Sequence, residues 1–142
     1  MFYTALCNAN NKTSKSVREL DKTMAVITIS RQLGSAGDYI ANLVSSMLSY
    51  RLVTKESMVR ELTRRNVMDA ETAREIGEGK PGIFDRFMKN KSKSIYAIRD
   101  LIHEAANEDD SVILGRGANL ELKEHPSLLR VRVIANLEVR IR

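Results

Sequence analysis

The sequence has little of several residue types that define common classes of protein. Cys7 is the single cysteine, so no disulfide can form within the chain and no cysteine cluster can hold a metal ion. Tryptophan is absent and aromatic residues make up 5%, so a core must rely on aliphatic side chains. No apolar run is long enough for a membrane-spanning helix, and the first residues lack the basic and apolar regions of a signal peptide. These absences predict a cytoplasmic protein that does not associate with a membrane.

The charge is also modest. The 142 residues have a formal net charge of +5, with 43% hydrophobic and 29% charged residues, a balance typical of one globular domain. The densest basic run, at Arg86, Lys89, Lys91 and Lys93, is interpreted as a solvated helix face or loop. A mild positive charge favours phosphate-bearing ligands in general, and we expect no nucleic-acid partner.

The chain divides into two parts. Residues 1–23 are polar without a clear period, and we predict a flexible N-terminal extension with a short helix near Ser16–Lys22. The domain is predicted to span residues 24–142 and to contain three strands, which are rich in β-branched or aliphatic residues. The predicted strands are Ala25–Ile29, Ser111–Leu114 and Leu129–Ile134.

Helical patterns separate these strands. The first has an apolar face that repeats at helical spacing, and the others carry caps and apolar faces of their own. Strands alternating with helices indicate an α/β fold with a parallel sheet. The face of the first helix comprises Ile40, Leu43, Val44, Met47 and Leu48, and further helices are predicted at Lys55–Arg65, Asp69–Ile76 and Ser94–Asn107.

A glycine-bearing turn, Gly34-Ser35-Ala36-Gly37, follows the first strand and precedes the first helix. Backbone N–H groups at such a position can bind phosphate, because the helix dipole favours negative charge there. The usual lysine after the last glycine is absent, and Asp38 stands in its place. The turn alone therefore leaves two interpretations open, a phosphate-binding loop and a plain strand-to-helix turn.

A second glycine turn, Gly115-Arg116-Gly117, follows the second strand. Ligands bind at the carboxyl ends of strands in open α/β sheets, which favours a binding role for Arg116 over a structural salt bridge. Dinucleotide binding would require a third glycine where Leu120 stands, and Pro126 leaves too little room for the crossover helix. The two histidines, His103 and His125, have no ligand-like spacing and are predicted to lie on the surface.

Taken together, the two turns resemble the cytidylate kinase-like family. The stretch from Ile27 to Gly37 is similar to that family's first strand and its S-R-x-x-G-S-G-G pattern, and the stretch from Val112 to Asn119 is similar to its strand ending in G-R-x-A. The resemblance covers residues 24–142. It implies a P-loop fold, three layers (α/β/α) around a parallel sheet, and transfer of a phosphoryl group from ATP to a nucleoside monophosphate with Mg²⁺.

The same resemblance assigns roles to individual residues. Arg116 matches an arginine that contacts the acceptor nucleotide, and it is the catalytic candidate. No residue is predicted as a metal ligand, and residues from about 54 to 107 would bind the acceptor. The candidates for binding the donor phosphates are Arg31, Gly34, Ser35, Ala36 and Gly37.

The sequence departs from the family pattern at several positions. Ala36 replaces a usual glycine, Asp38 is expected to weaken the donor site by its charge, and Gly117 replaces the aspartate of cytidylate kinases. The lid arginines and the last strand and helix have no counterpart, so the fold is predicted to be incomplete at its C-terminus. A non-catalytic or truncated nucleotide-binding module is the alternative prediction, and neither the acceptor nucleotide nor the oligomeric state is identified.

Overall fold

The structure, a computed structural model, describes residues 4–8, 25–79, 81–90, 92–108 and 110–141. Strands and helices alternate along most of this part of the chain. The strands are β1 (Thr4–Asn8), β2 (Val26–Arg31), β3 (Arg51–Val53), β4 (Ser111–Leu114) and β5 (Leu128–Ile134). The helices are α1 (Gly37–Leu48), α2 (Lys55–Arg64), α3 (Ala70–Gly77), α4 (Ile83–Asn90), α5 (Ser92–Asn107), α6 (Ala118–Glu121) and α7 (Leu137–Arg140).

The strands form one sheet in the order β1-β5-β2-β4-β3. Strand β2 pairs in parallel with both β4 and β5, and β3 pairs in parallel with β4. The predicted parallel pairing of the three sequence-identified strands is therefore confirmed, within an α/β fold that has four parallel strands. Residues Val26–Ile29 and Ser111–Leu114 are buried throughout, as expected for strands with both faces covered.

Strand β3 was not predicted from the sequence. Its three residues follow α1 directly, and the Arg51 N–H donates to the Asp110 carbonyl (2.8 Å) where the strand begins. Three residues are too few to show a period of two. The strand forms because β4 offers it a partner edge.

An antiparallel edge strand, β1, also lies in the region where the sequence predicted a flexible extension. Residues Thr4–Asn8 pair with β5 from Ile134 to Arg130. Pairing with an available edge outweighs the weak local propensity of this stretch, since strand formation depends strongly on context. The predicted helix near Ser16–Lys22 lies outside the described residues.

Each face of the sheet has its own apolar cluster, because successive strand side chains point to opposite sides. Ile27 and Ile29 lie in the cluster beneath α1, whereas Val26 and Ile113 lie in the other. The cluster under α1 contains Ile27, Ile29, Ala41, Val112, Leu114 and Val133. Helices α2 to α6 supply the opposite cluster, which includes Met58, Leu62, Ile76, Phe84, Ile102 and Ala118.

Helices α2 and α3 follow the sequence prediction closely. The Thr54 hydroxyl accepts from the Ser57 N–H at the start of α2, and the Asp69 carboxylate accepts from the Thr72 N–H (2.8 Å) at the start of α3. The end of α3 differs, because Gly77 is its last helical residue and not the residue beyond it. The basic run around Phe87 lies partly on α4, a helix that the sequence did not separate from its surroundings.

The predicted apolar face of α1 is wrong in part. Ala41 is buried, but Leu43 is 46% and Met47 75% exposed. On α5, the apolar side chain of Ile95 is likewise 44% exposed. Helical spacing identifies which residues share a face, and the position of the helix on the sheet decides how much of that face is covered.

Candidate functional site

Two turns meet at the carboxyl end of the parallel strands. The first turn (residues 32–36) follows β2 and the second turn (Gly115–Gly117) follows β4. Because β2 and β4 are neighbours, the Gly115 N–H donates to the Ile29 carbonyl (2.9 Å). The chain then leaves toward α1 on one face and toward α6 on the other. A crevice between such diverging connections is where open α/β sheets bind ligands.

The first turn has an unusual backbone. Gly34 has φ +77°, and Ala36 has φ 56° and ψ 22°. Both values lie in the left-handed region, which glycine adopts freely and alanine adopts at a cost of about 1 kcal/mol. Left-handed Ala36 turns the chain directly into α1 at Gly37. Residues Arg31–Asp38 line a cavity of about 240 Å³ at this point.

Helix α1 begins without a side-chain cap. Its first N–H groups have no intrahelical acceptor, and Ala36 at the N-cap position accepts no hydrogen bond through its side chain. These amides and the positive end of the helix dipole face the first turn. They are the groups to which a phosphate oxygen binds at a strand-to-helix turn.

Internal hydrogen bonds hold the shape of the first turn. The Ser35 side chain is buried, and its hydroxyl donates to the Gln32 carbonyl (2.7 Å). The Gln32 side-chain oxygen accepts from the Ala135 N–H (3.2 Å), which joins the turn to the end of β5. A Cβ atom on Gly34 would meet the backbone of Arg140 in α7. Ser35, a predicted hydroxyl ligand, therefore serves the turn's internal structure here.

Arg31 and Asp38 form an ion pair across the first turn. Nη2 of Arg31 lies 2.8 Å from Oδ1 of Asp38, with the two side chains 31% and 68% exposed. The aliphatic part of the Arg31 side chain passes beside Gly37, and a Cβ atom added to Gly37 would lie 2.7 Å from Cγ of Arg31. A Cβ atom added to Gly115 would lie 2.5 Å from Nη1 of Arg31. Arg31 thus reaches from the first turn to the second.

The second turn has three consecutive residues in the left-handed region. The φ angles of Gly115, Arg116 and Gly117 are +73°, +58° and +73°. Arg116 is the strained member, since a Cβ atom disfavours this conformation. Strained non-glycine residues cluster at functional sites, although Ser49, Asn66 and Asp110 have a similar φ outside the two turns. The turn leads into α6, whose residue Ala118 is fully buried.

The Arg116 guanidinium stacks on an aromatic ring. Its Cζ lies 4.2 Å from the centre of the Phe84 ring, a cation–π geometry. Partial burial and the nearby Arg31 cation lower the pKa of Arg116, while Asp85 and Glu56 act in the opposite direction. The group stays charged at any physiological pH. Arg31 and Arg116 are thus close enough to act on each other electrostatically, and two neighbouring cations favour an anion.

The structure therefore places the predicted residues Arg31, Gly34, Ala36, Gly37 and Arg116 at two adjoining turns, the first of which lines the cavity. The histidines lie elsewhere. His103 is exposed and pairs with Glu121 (3.0 Å). His125 was predicted to lie on the surface but is half-buried, and its Nδ1 is buried without a hydrogen-bond partner among the described residues.

Sequence reasoning missed four residues at this crevice: Phe84, Asp85, Glu56 and Arg140. Phe84 and Asp85 come from α4 and Glu56 from α2, so they reach Arg116 only through tertiary packing. Arg140 lies beside Gly34, and its Nε is buried with no partner in the described part of the chain. The sequence signal that could have identified Arg140 is its position in the helix that follows β5.

The described residues contain no group of three or more His, Cys, Asp or Glu side chains placed to hold a metal ion. Mg²⁺ can be held by water and substrate phosphates, so an ion that arrives with a nucleotide needs no such group. Asp38 at the first turn is already paired with Arg31. Across the ranges that the structure describes, no helix is long and apolar enough to cross a membrane.

The fold and the crevice define an α/β protein with a ligand site at the carboxyl edge of its parallel sheet. The chain belongs to the cytidylate kinase-like family, whose sequence profile matches residues 26–142. It is accordingly a nucleotide kinase-like protein. A search of curated proteins found no match.

A solved structure shares the fold. It is the crystal structure of an uncharacterized protein from Eubacterium ventriosum ATCC 27560, with 19% identity and a TM-score of 0.57. The match covers 82% of this chain and 56% of that chain. The present chain thus corresponds to a little over half the length of the structure it matches.

Proposed function

We propose that this P-loop-type domain binds ATP at the first turn and a nucleoside monophosphate at the second, and that it transfers the γ-phosphoryl group between them. The observation that carries the proposal is how close the two turns lie at neighbouring strand ends: the Gly115 N–H donates to the Ile29 carbonyl of β2, and the Arg31 side chain reaches Gly115. One turn offers unpaired amides at a helix N-terminus and the other offers a stacked guanidinium. Two phosphate sites side by side are what transfer between nucleotides requires.

The reaction consists of one displacement at phosphorus. An oxygen of the acceptor's phosphate forms a bond to the γ-phosphorus as the bond to the β,γ-bridging oxygen breaks, and ADP leaves with that oxygen. Since the acceptor phosphate is already ionised, no side chain has to remove a proton. Catalysis in such reactions is mostly positioning and charge stabilisation, which amides, arginines and phosphate-bound Mg²⁺ supply.

Arg116 is suited to hold the acceptor. A planar guanidinium binds phosphate oxygens through two parallel hydrogen bonds, and Phe84 fixes the plane of this one. The acceptor would lie toward α2 and α4, on the side of Glu56 and Asp85. A nucleotide substrate of this kind is consistent with a cytoplasmic location and requires no nucleic-acid partner.

The test is calorimetric titration of ATP with Mg²⁺, and separately of each nucleoside monophosphate, with a coupled assay for ADP. We expect Arg116→Gln to weaken binding of the preferred monophosphate by about 10-fold or more, because a charge-assisted pair is lost. Its affinity for ATP should change by less than about 2-fold. Equal affinity of the variant and the original chain for every monophosphate would contradict the role of Arg116.

Arg51→Gln is the matched control. Arg51 forms an ion pair with Glu108 (2.7 Å) at the opposite edge of the sheet, so this change removes an arginine and its ion pair far from the crevice. We expect it to leave both affinities unchanged. Tight ATP binding without ADP formation would favour the alternative function, a nucleotide-binding module without catalysis.

A further inference from the structure

The first turn has no lysine after Gly37, where a phosphate loop of the standard pattern carries one. Backbone amides alone counter only part of the charge of a triphosphate. A side chain that replaces the lysine has to come from elsewhere in the fold. Arg31, the last residue of β2, is the arginine that lies along the first turn itself.

The path of Arg31 is built into both turns. Its stem occupies the space where Gly37 would carry a Cβ atom, and its Nη1 occupies the corresponding space at Gly115. Side chains at these two glycines would therefore displace Arg31. The guanidinium consequently lies at the junction of the two turns, close enough to Arg116 to act on it electrostatically.

Asp38 holds the far side of the guanidinium, through Oδ1 and Nη2 at 2.8 Å. A guanidinium has five N–H donors, so one carboxylate contact leaves other donors available to an anion. Asp38 itself is two-thirds exposed. It therefore restrains a flexible side chain without burying it.

We propose that Arg31 takes the place of the missing lysine and binds the phosphate oxygens that lie between donor and acceptor, with Asp38 as its positioning residue. This inference rests on the proposed function and identifies which group binds the transferring phosphate. It gives Asp38 the opposite role to the one predicted from sequence, where its charge weakened the donor site. The carboxylate supports binding because it orients the cation.

Asp38→Asn separates the two roles of Asp38. The change keeps the shape of the side chain and removes its negative charge. If repulsion of phosphate dominates, the variant binds ATP more tightly. If orientation of Arg31 dominates, it binds ATP about 3-fold to 10-fold more weakly, since a charge-assisted contact becomes a neutral one.

The experiment is calorimetry with three probes: ATP with Mg²⁺, cytidine monophosphate, and a dinucleoside pentaphosphate that joins adenosine to cytidine. We expect Arg31→Gln to weaken binding of the pentaphosphate most, by about 10-fold to 100-fold, because the pentaphosphate spans both turns. The affinity for ATP should fall less, and the affinity for cytidine monophosphate should fall least. The double variant Arg31→Gln/Asp38→Asn should bind no more weakly than Arg31→Gln, since Asp38 acts through Arg31.

Arg51→Gln is again the control with an equivalent ion pair, and it should change none of the three affinities. If the unmodified chain binds neither ATP nor the pentaphosphate, the proposed function itself fails. If it binds both and Arg31→Gln binds them equally well, this inference is overturned while the proposed function stands. If Arg31→Gln fails to fold, Asp38→Asn provides the test, because Asp38 is exposed. The inference is overturned if Asp38→Asn binds ATP as tightly as the unmodified chain, or more tightly.

Discussion

The turn after β2 and the turn after β4 end neighbouring strands, yet they present different chemistry. The first turn leads into a helix of 12 residues, so its amides carry the dipole of a long helix. The second turn leads into a helix of 4 residues and instead presents a guanidinium on an aromatic ring. Similar glycine patterns therefore serve backbone binding in one turn and side-chain binding in the other.

Their glycines differ in what surrounds them. Gly34, Gly115 and Gly117 have nearly the same φ, from +73° to +77°. The space for a Cβ atom is occupied by the Arg140 backbone at Gly34, by the end of the Arg31 side chain at Gly115, and by nothing within 4 Å at Gly117. Alanine at each position would impose the same backbone strain, with a backbone collision at Gly34, a side-chain collision at Gly115 and none at Gly117.

The largest effect should come from Gly34→Ala. Backbone strain costs about 1–2 kcal/mol, and a collision with backbone that cannot move aside adds about 1–3 kcal/mol. We expect a total of roughly 3 kcal/mol in the free energy of unfolding, measured by urea denaturation. Gly117→Ala is the control and should show the strain alone. Equal losses in the two variants would mean that α7 does not pack on the first turn.

Gly115→Ala should affect both stability and binding. The free energy of unfolding should fall by about the same amount as in Gly117→Ala, roughly 1–2 kcal/mol, because the end of an arginine side chain can move away. The displaced guanidinium should weaken ATP binding by about 10-fold, as measured by calorimetry. ATP affinity equal to that of Gly117→Ala would contradict the contact between Arg31 and the second turn.

Phe84→Leu tests the aromatic contact of Arg116 in the second turn. The variant removes the ring under Arg116, and the loss of a cation–π contact of about 1 kcal/mol should weaken monophosphate binding by roughly 5-fold. Phe87→Leu is the matched control, because Phe87 is equally buried in the same helix and its ring centre lies 6.5 Å from that of Phe84. If both variants weaken binding equally, the effect comes from α4 packing and not from the ring.

The smallest effect should be a gain in stability from Ala36→Gly. Relief of left-handed strain should raise the free energy of unfolding by about 1 kcal/mol. Ser49 has nearly the same φ, 57°, at the other end of α1, so Ser49→Gly should produce a similar gain without touching the crevice. A loss of stability in Ala36→Gly alone would show that the alanine methyl makes contacts which outweigh its strain.

How far the sequence predicts the site differs between these residues. Gly34, Gly37 and Arg116 could be predicted as candidates because strand, glycine turn and helix follow one another within about a dozen residues, and such local order is visible in sequence. Phe84 could not, because it lies some thirty residues from Arg116 and reaches it only through the packing of α4. The role of Asp38 was inferred from charge alone, since its partner could not be seen.

The sequence by itself determined the positions of β2, β4 and β5, the two glycine turns that follow β2 and β4, and the family. Runs of β-branched and aliphatic residues and glycines before a helix are local signals, and they specify local structure. Only the tertiary structure decided that β1 and β3 join the sheet, that the outer face of α1 stays exposed, and that Arg31 joins the two turns. These features depend on contacts between distant segments, whose geometry follows from packing and not from neighbouring residues.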